Sequence, residues 1–117
     1  MPSVTRNLSI LGNVPQTLIT ADYTLVSTDA GGCIYHPSID TLPRAVTIPL
    51  SAFPIGTVIS FVNDTGAGQL NITPTTGVTL VVAGVGGVTS KGLAANGFAS
   101  IMKVATNRWM LSGAGLV

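Results

Sequence analysis

Apolar and polar positions alternate in short runs along most of this chain. No window places apolar residues at i, i+3, i+4 and i+7 between helix caps, so helices are not predicted. Runs rich in valine, threonine and isoleucine cover Tyr23–Ser27, Cys33–His36, Ala45–Ile48, Val58–Asn63, Leu70–Thr73, Val78–Val82, Phe98–Val104 and Arg108–Leu111. Clusters of Gly, Pro, Asn and Asp separate them. Eight short strands within about ninety residues predict an all-β domain, a small antiparallel β-sandwich or jelly-roll-like domain over residues 21–117. Residues 1–20 differ in texture, with two prolines, one charge and the apolar pairs Ile10-Leu11 and Leu18-Ile19. They read as an extended N-terminal arm lying on a neighbouring protein, or equally as an extra strand.

Alternation also predicts faces. Phe98, Met102 and Val104 share one side of their run and are expected to point inward, as do Trp109 with Leu111, Leu70 with Ile72, and Val78 with Leu80 and Val82. Lys103 and Arg108 then fall on solvated or interfacial positions. The run Val58–Val62 is apolar on both sides, with Val58 and Val62 opposite Ile59 and Phe61, which predicts a strand in a subunit interface. Residues 63–68 and 105–107 read as turns, 50–56 as a longer connection interrupted by Pro54, and 83–88 as a flexible, uncharged loop tip.

Composition sharpens this picture. The 117 residues are 46% hydrophobic and only 8% charged, with no glutamate, against about 25% charged in an average soluble domain. A surface so poor in charge is expected to be covered by other chains. Disorder is excluded by the same balance. A net charge of +1 with scattered cations gives no stripe for nucleic acid. No apolar run is long enough for a membrane-spanning helix, and residues 1–20 lack signal-peptide features, so synthesis in a cytoplasm is expected. One cysteine precludes an intrachain disulfide.

Sites of chemistry are sparse. Nucleophilic catalysis needs a base, and His36 is the sole histidine, with no Gly-x-Ser-x-Gly elbow in the chain. It reads as a strand-end residue before Pro37, and Cys33 as a small core residue. Asp22 and Asp29 flank one run and are weighed as a carboxylate pair, but a turn or cap role fits them better, as it does Asp64. Scattered aspartates with one His and one Cys form no metal-ligand set. Gly84-Val85-Gly86-Gly87 precedes no helix start and is discounted as a phosphate loop. Three Asn-x-Ser/Thr matches, at Asn7, Asn63 and Asn71, carry little meaning without a secretory signal. Trp109, Tyr23 and Tyr35 read as core or interface anchors before sugar-stacking platforms. No catalytic, cofactor-binding or metal-ligating residue is assigned.

Several segments taken in order carry a resemblance. They are Asp29-Ala30-Gly31-Gly32, Val46-Thr47-Ile48-Pro49, Pro54-Ile55-Gly56-Thr57-Val58-Ile59, Gly66-Ala67-Gly68, Gly77-Val78-Thr79-Leu80, Ala99-Ser100-Ile101-Met102-Lys103 and Asn107-Arg108-Trp109-Met110-Leu111-Ser112-Gly113. Together they resemble a small β-domain of tailed-bacteriophage virion proteins, found in capsid decoration (cement) proteins and in tail or fibre modules. The resemblance implies a non-enzymatic structural role without cofactor, in an oligomer, with a homotrimer favoured and a dimer possible. With a chain little longer than the domain, decoration is the leading expectation: many copies on the outer capsid surface, bound to the major capsid protein, after synthesis in the host cytoplasm. The alternative is a tail- or fibre-associated glycan-binding module for host attachment. The expected contacts are Arg6, Leu8, Ile10 and Leu11 of the arm, with Val58, Phe61 and Val62 as candidates for core or subunit packing.

Overall fold

A computed structural model of the chain describes residues 13–117. Arg6, Leu8, Ile10 and Leu11 lie outside the described residues. Ten strands form: β1 (Gln16–Leu18), β2 (Tyr23–Thr24), β3 (Cys33–His36), β4 (Arg44–Ile48), β5 (Val58–Asn63), β6 (Leu70–Pro74), β7 (Thr79–Val82), β8 (Gly86–Val88), β9 (Lys91–Ala105) and β10 (Arg108–Leu116). A single 3-10 turn, Ser27–Asp29, is the only helical segment among the described residues. The predicted all-β class holds.

Strand pairing departs from the antiparallel sandwich. β1, β3 and β5 stack in parallel, and β2, β4 and β6 stack in parallel beside them. The chain alternates between the two stacks, so each circuit adds one strand to both, a solenoid-like arrangement. Alternating hydrophobicity has the same period in parallel and antiparallel strands, so it does not report which strand pairs with which. β9 then closes the coil. Its first residues pair antiparallel with β6 (Leu93 opposite Leu70) and its middle with β5 (Ile101 opposite Ile59). A single strand serves both stacks because it bends between them. Asn96 there has a φ of 67°, and a Cβ on the buried Gly97 would stand 2.5 Å from the Leu93 side chain. β10 lies antiparallel to β9, β7 parallel to β10, and β8 completes a hairpin with β7.

Boundaries shift in the same sense. Gln16–Leu18 and the buried Ile19 belong to the folded body, so the extra-strand reading applies to this part of the arm. The Tyr23–Ser27 run stops at Thr24 and turns into the 3-10 segment. Gly86–Val88 is a strand instead of a loop tip. β9 begins at Lys91, well before the predicted Phe98, and β10 runs on to Leu116.

The core lies between the stacks. One row across the sheet joins Ile59, Ile101, Leu111 and Val82, all buried. The next joins Ile34, Phe61, Ala99 and Gly113, where a Cβ on Gly113 would come within 2.5 Å of Ala99, so only glycine fits beside that row. The second stack contributes Val46, Ile48, Leu70 and Ile72, each fully buried. Phe61 is therefore a core residue, and Val58, Ser60 and Val62 of its strand face the outer surface.

Candidate functional site

The two stacks present very different outer faces. On the β2–β4–β6 side, Thr24, Thr47 and Thr73 stand in register, and Thr73 shares a hydroxyl–hydroxyl bond of 3.1 Å with Ser90. That face is polar. On the larger sheet, one outward row runs Leu18–Tyr35–Val62–Phe98–Ala114, and another joins Val58, Met102, Met110 and Val81. Between them runs Gln16–Cys33–Ser60–Ser100–Ser112, with Ser60 and Ser100 hydroxyls 2.8 Å apart. Leu18 is 61% exposed, Phe98 57% and Met102 47%, with Val104 and Val58 also open. Monomeric proteins rarely leave so contiguous an apolar area in water, and where they do it is a contact surface.

This face reverses the expected orientation of β9. Phe98, Met102 and Val104 point outward, while Ala99, Ile101 and Lys103 point in. Lys103 is 6% exposed, and its Nζ donates to the Phe53 carbonyl at 2.6 Å. The lysine is thus neither solvated nor interfacial, whereas Arg108 is exposed at one corner of the face. No carboxylate pairs with Lys103 among the described residues. Burying an amine on one hydrogen bond contributes little net stability, so Lys103→Met is expected to leave the unfolding free energy within about 1 kcal/mol of the parent, or to raise it. Denaturant titration measures this, and a loss above about 2 kcal/mol contradicts it.

Beneath the same sheet, at the turn end of β3 and β5, lies a buried polar chain. His36 is fully buried, with Nδ1 2.7 Å from Asn63 Oδ1 and Nε2 2.8 Å from Asp40 Oδ2. The Asn63 amide donates to the carbonyls of Gly68 at 3.0 Å and Leu93 at 2.8 Å, which fixes its oxygen toward the ring. Both ring nitrogens are therefore held by oxygen partners on either side of the ring. Arg44 completes the chain, donating to both oxygens of Asp40 at 2.8 and 3.1 Å. His36, Asp40, Arg44, Asn63, Gly68 and Leu93 are thereby tied together at one corner. Gly68 sits so close to Leu42 that a Cβ there would be 2.2 Å from its carbonyl carbon, which keeps this corner tight.

The acids are all committed. Asp29 is buried and accepts from Thr17 Oγ1 (3.1 Å), the Tyr23 hydroxyl (2.8 Å) and the Val26 amide (2.8 Å). Burial, and then the Asp29 contact, push the Tyr23 phenol up to about 12. Asp22 accepts from the Ala45 amide. Asp64 accepts from the Tyr35 hydroxyl and the Thr65 amide, which hold its carboxyl below the ordinary value, and the same contact with Asp64 raises the Tyr35 phenol. Arg44, and then His36, hold Asp40 far below the usual carboxylate range, against the opposing effect of burial. Asp29 and Asp64 make the local turn and cap bonds that the sequence predicts, whereas Asp22 reaches across to β4 and Asp40 ties His36 to Arg44.

Acid stability follows from these directions. Both Asp40 and Asp64 have folded values below their unfolded ones, so their contribution is complete above the carboxylate range and is lost as pH falls. The melting temperature is expected to drop below about pH 4, and Asp40→Asn to start lower and drop less over the same interval. Thermal melts from pH 7 to pH 2 test this; an equal acid drop in the variant contradicts it.

Trp109 is 1% exposed and stands edge-on to Phe53, with ring centroids 5.6 Å apart at 87°. It is a core anchor, leaving Tyr35 as the aromatic that reaches the outer face together with Phe98. Cys33 is free and buried, and burial pushes its thiol up. Among the described residues no cluster of three or more His, Cys, Asp or Glu is placed to hold a metal ion, and no ligand-sized cavity occurs. Comparison of the chain with protein-family models, curated proteins and solved structures returned no match.

Proposed function

We propose that this chain is a non-enzymatic structural protein of a tailed-bacteriophage virion, a decoration protein that binds the outer surface of the assembled head and stabilises it. The reading rests on the ordered segments that resemble virion β-domains, and one structural observation carries it furthest. A small, tightly built body with few charges offers a broad apolar sheet face on one side and a polar threonine face on the other. Such a body suits a lattice protein, whose apolar side is covered in the assembly while its polar side meets solvent.

A protein that binds only the assembled shell stabilises it by mass action. Purified chain added to heads lacking it is expected to bind saturably and to raise the temperature at which the heads rupture. Heads that bind none, alongside a chain that binds a glycan array, favour the host-attachment reading instead.

A further inference from the structure

We propose that the outer face of the larger sheet is the contact between two copies of this chain, packed sheet on sheet about a two-fold axis. This inference does not rest on the virion reading, because every step concerns the chain alone.

The rows Leu18–Tyr35–Val62–Phe98–Ala114 and Val58–Met102–Met110–Val81 contain no charged residue, and the row between them is chiefly small and hydroxylic. Three of the four aspartates are engaged away from the face by hydrogen bonds, Asp64 at its edge is taken up by the Tyr35 hydroxyl and the Thr65 amide, and Arg108 sits at a corner. A partner for this surface must itself be apolar and largely uncharged. A second copy of the face meets that requirement, with tall rows able to settle over the low serine row of the opposing sheet. Sheets packed in this way lie about 10 Å apart.

The face spans β1, β3, β5, β9, β10 and β7, and the stretch Phe98–Val104 sets its length along β9. β1, β3 and β7 supply only three or four residues each, so at about 4.8 Å between strands and about 3.3 Å per residue its plan area is roughly 500 Å². A stable pairwise interface buries about 600–1,000 Å² on each partner, and side chains standing out of that plane, Leu18, Phe98 and Met102 above all, bring the face to the size a dimer needs. A face with Leu18 and Phe98 more than half exposed is a liability from the moment the chain folds, and the partner always present at that moment is another copy.

Sedimentation equilibrium of the full chain is expected to show a dimer. The double variant Phe98→Asp/Met102→Asp is expected to raise the dimer dissociation constant at least a hundredfold, roughly, since two central anchors are lost. Thr47→Asp/Thr73→Asp, on the opposite face, is expected to leave it unchanged. Because the apolar-face variant can fail to fold, a second measurement stands beside it. Met102→Cys is expected to be joined to its own copy by a short bismaleimide, and Thr47→Cys is not, the native Cys33 being buried. A monomeric parent, a dimer that survives in a folded Phe98/Met102 variant, or cross-linking through Thr47→Cys alone overturns the proposal. A variant that still dimerises but no longer binds phage heads also overturns it, and assigns the face to the shell.

Discussion

Trp109→Ala is expected to cost about 3–5 kcal/mol of unfolding free energy, the range for removing a large aromatic from a packed core. The indole lies on β10 between Leu80 of β7 and Lys103 of β9, and its edge contact with Phe53 holds the long 49–57 connection against the sheet. Truncation therefore opens a cavity where the two-stranded β7–β8 appendage, the β9–β10 hairpin and that connection meet. Denaturant unfolding of parent and variant gives the value directly. A loss below about 1 kcal/mol contradicts the burial of the indole and reopens sugar stacking as its role.

Asn63→Ala is expected to be as damaging, although it removes a polar side chain from a turn boundary. The substitution leaves the Gly68 and Leu93 carbonyls without their donor and His36 Nδ1 without its acceptor, the last two in the interior and Gly68 half-buried. Each buried polar group left unpaired costs about 1–3 kcal/mol, so a total of roughly 3–5 kcal/mol is expected. Asn71→Ala, on the half-exposed outer side of β6, is the matched control and is expected to stay within about 1 kcal/mol. Equal effects at the two positions contradict the clamp.

Local structure was largely legible in the sequence. Cys33–His36 and Val58–Asn63 form strands with the limits that the alternation and flanking turns predict. Pairing was not legible, because the circuits differ in length. Gln16 pairs with Cys33, a step of 17 residues, while Cys33 pairs with Ser60, a step of 27, so no repeat shows as a period. Length-variable connections absorb the difference.

The candidate surface was hidden for a more instructive reason. In β9 the bulkier apolar residues occupy the outward positions, and the inward ones include alanine and a lysine. Hydropathy alone assigns such a strand back to front. Only the register with Ile59 and Leu111 shows that Ile101 faces the core, and only the Phe53 carbonyl explains how Lys103 is accommodated inside. The His36 clamp was hidden differently. Asp40 follows His36 by four residues in sequence, but Asn63 reaches it through the parallel pairing of β3 with β5.

The role proposed above is structural and lattice-wide. Copy number in the purified virion, measured by quantitative mass spectrometry against the major capsid protein, tests it most directly. One copy per capsid subunit, or a fixed simple fraction of it, is expected. A handful of copies per particle contradicts the account and moves the protein to the tail.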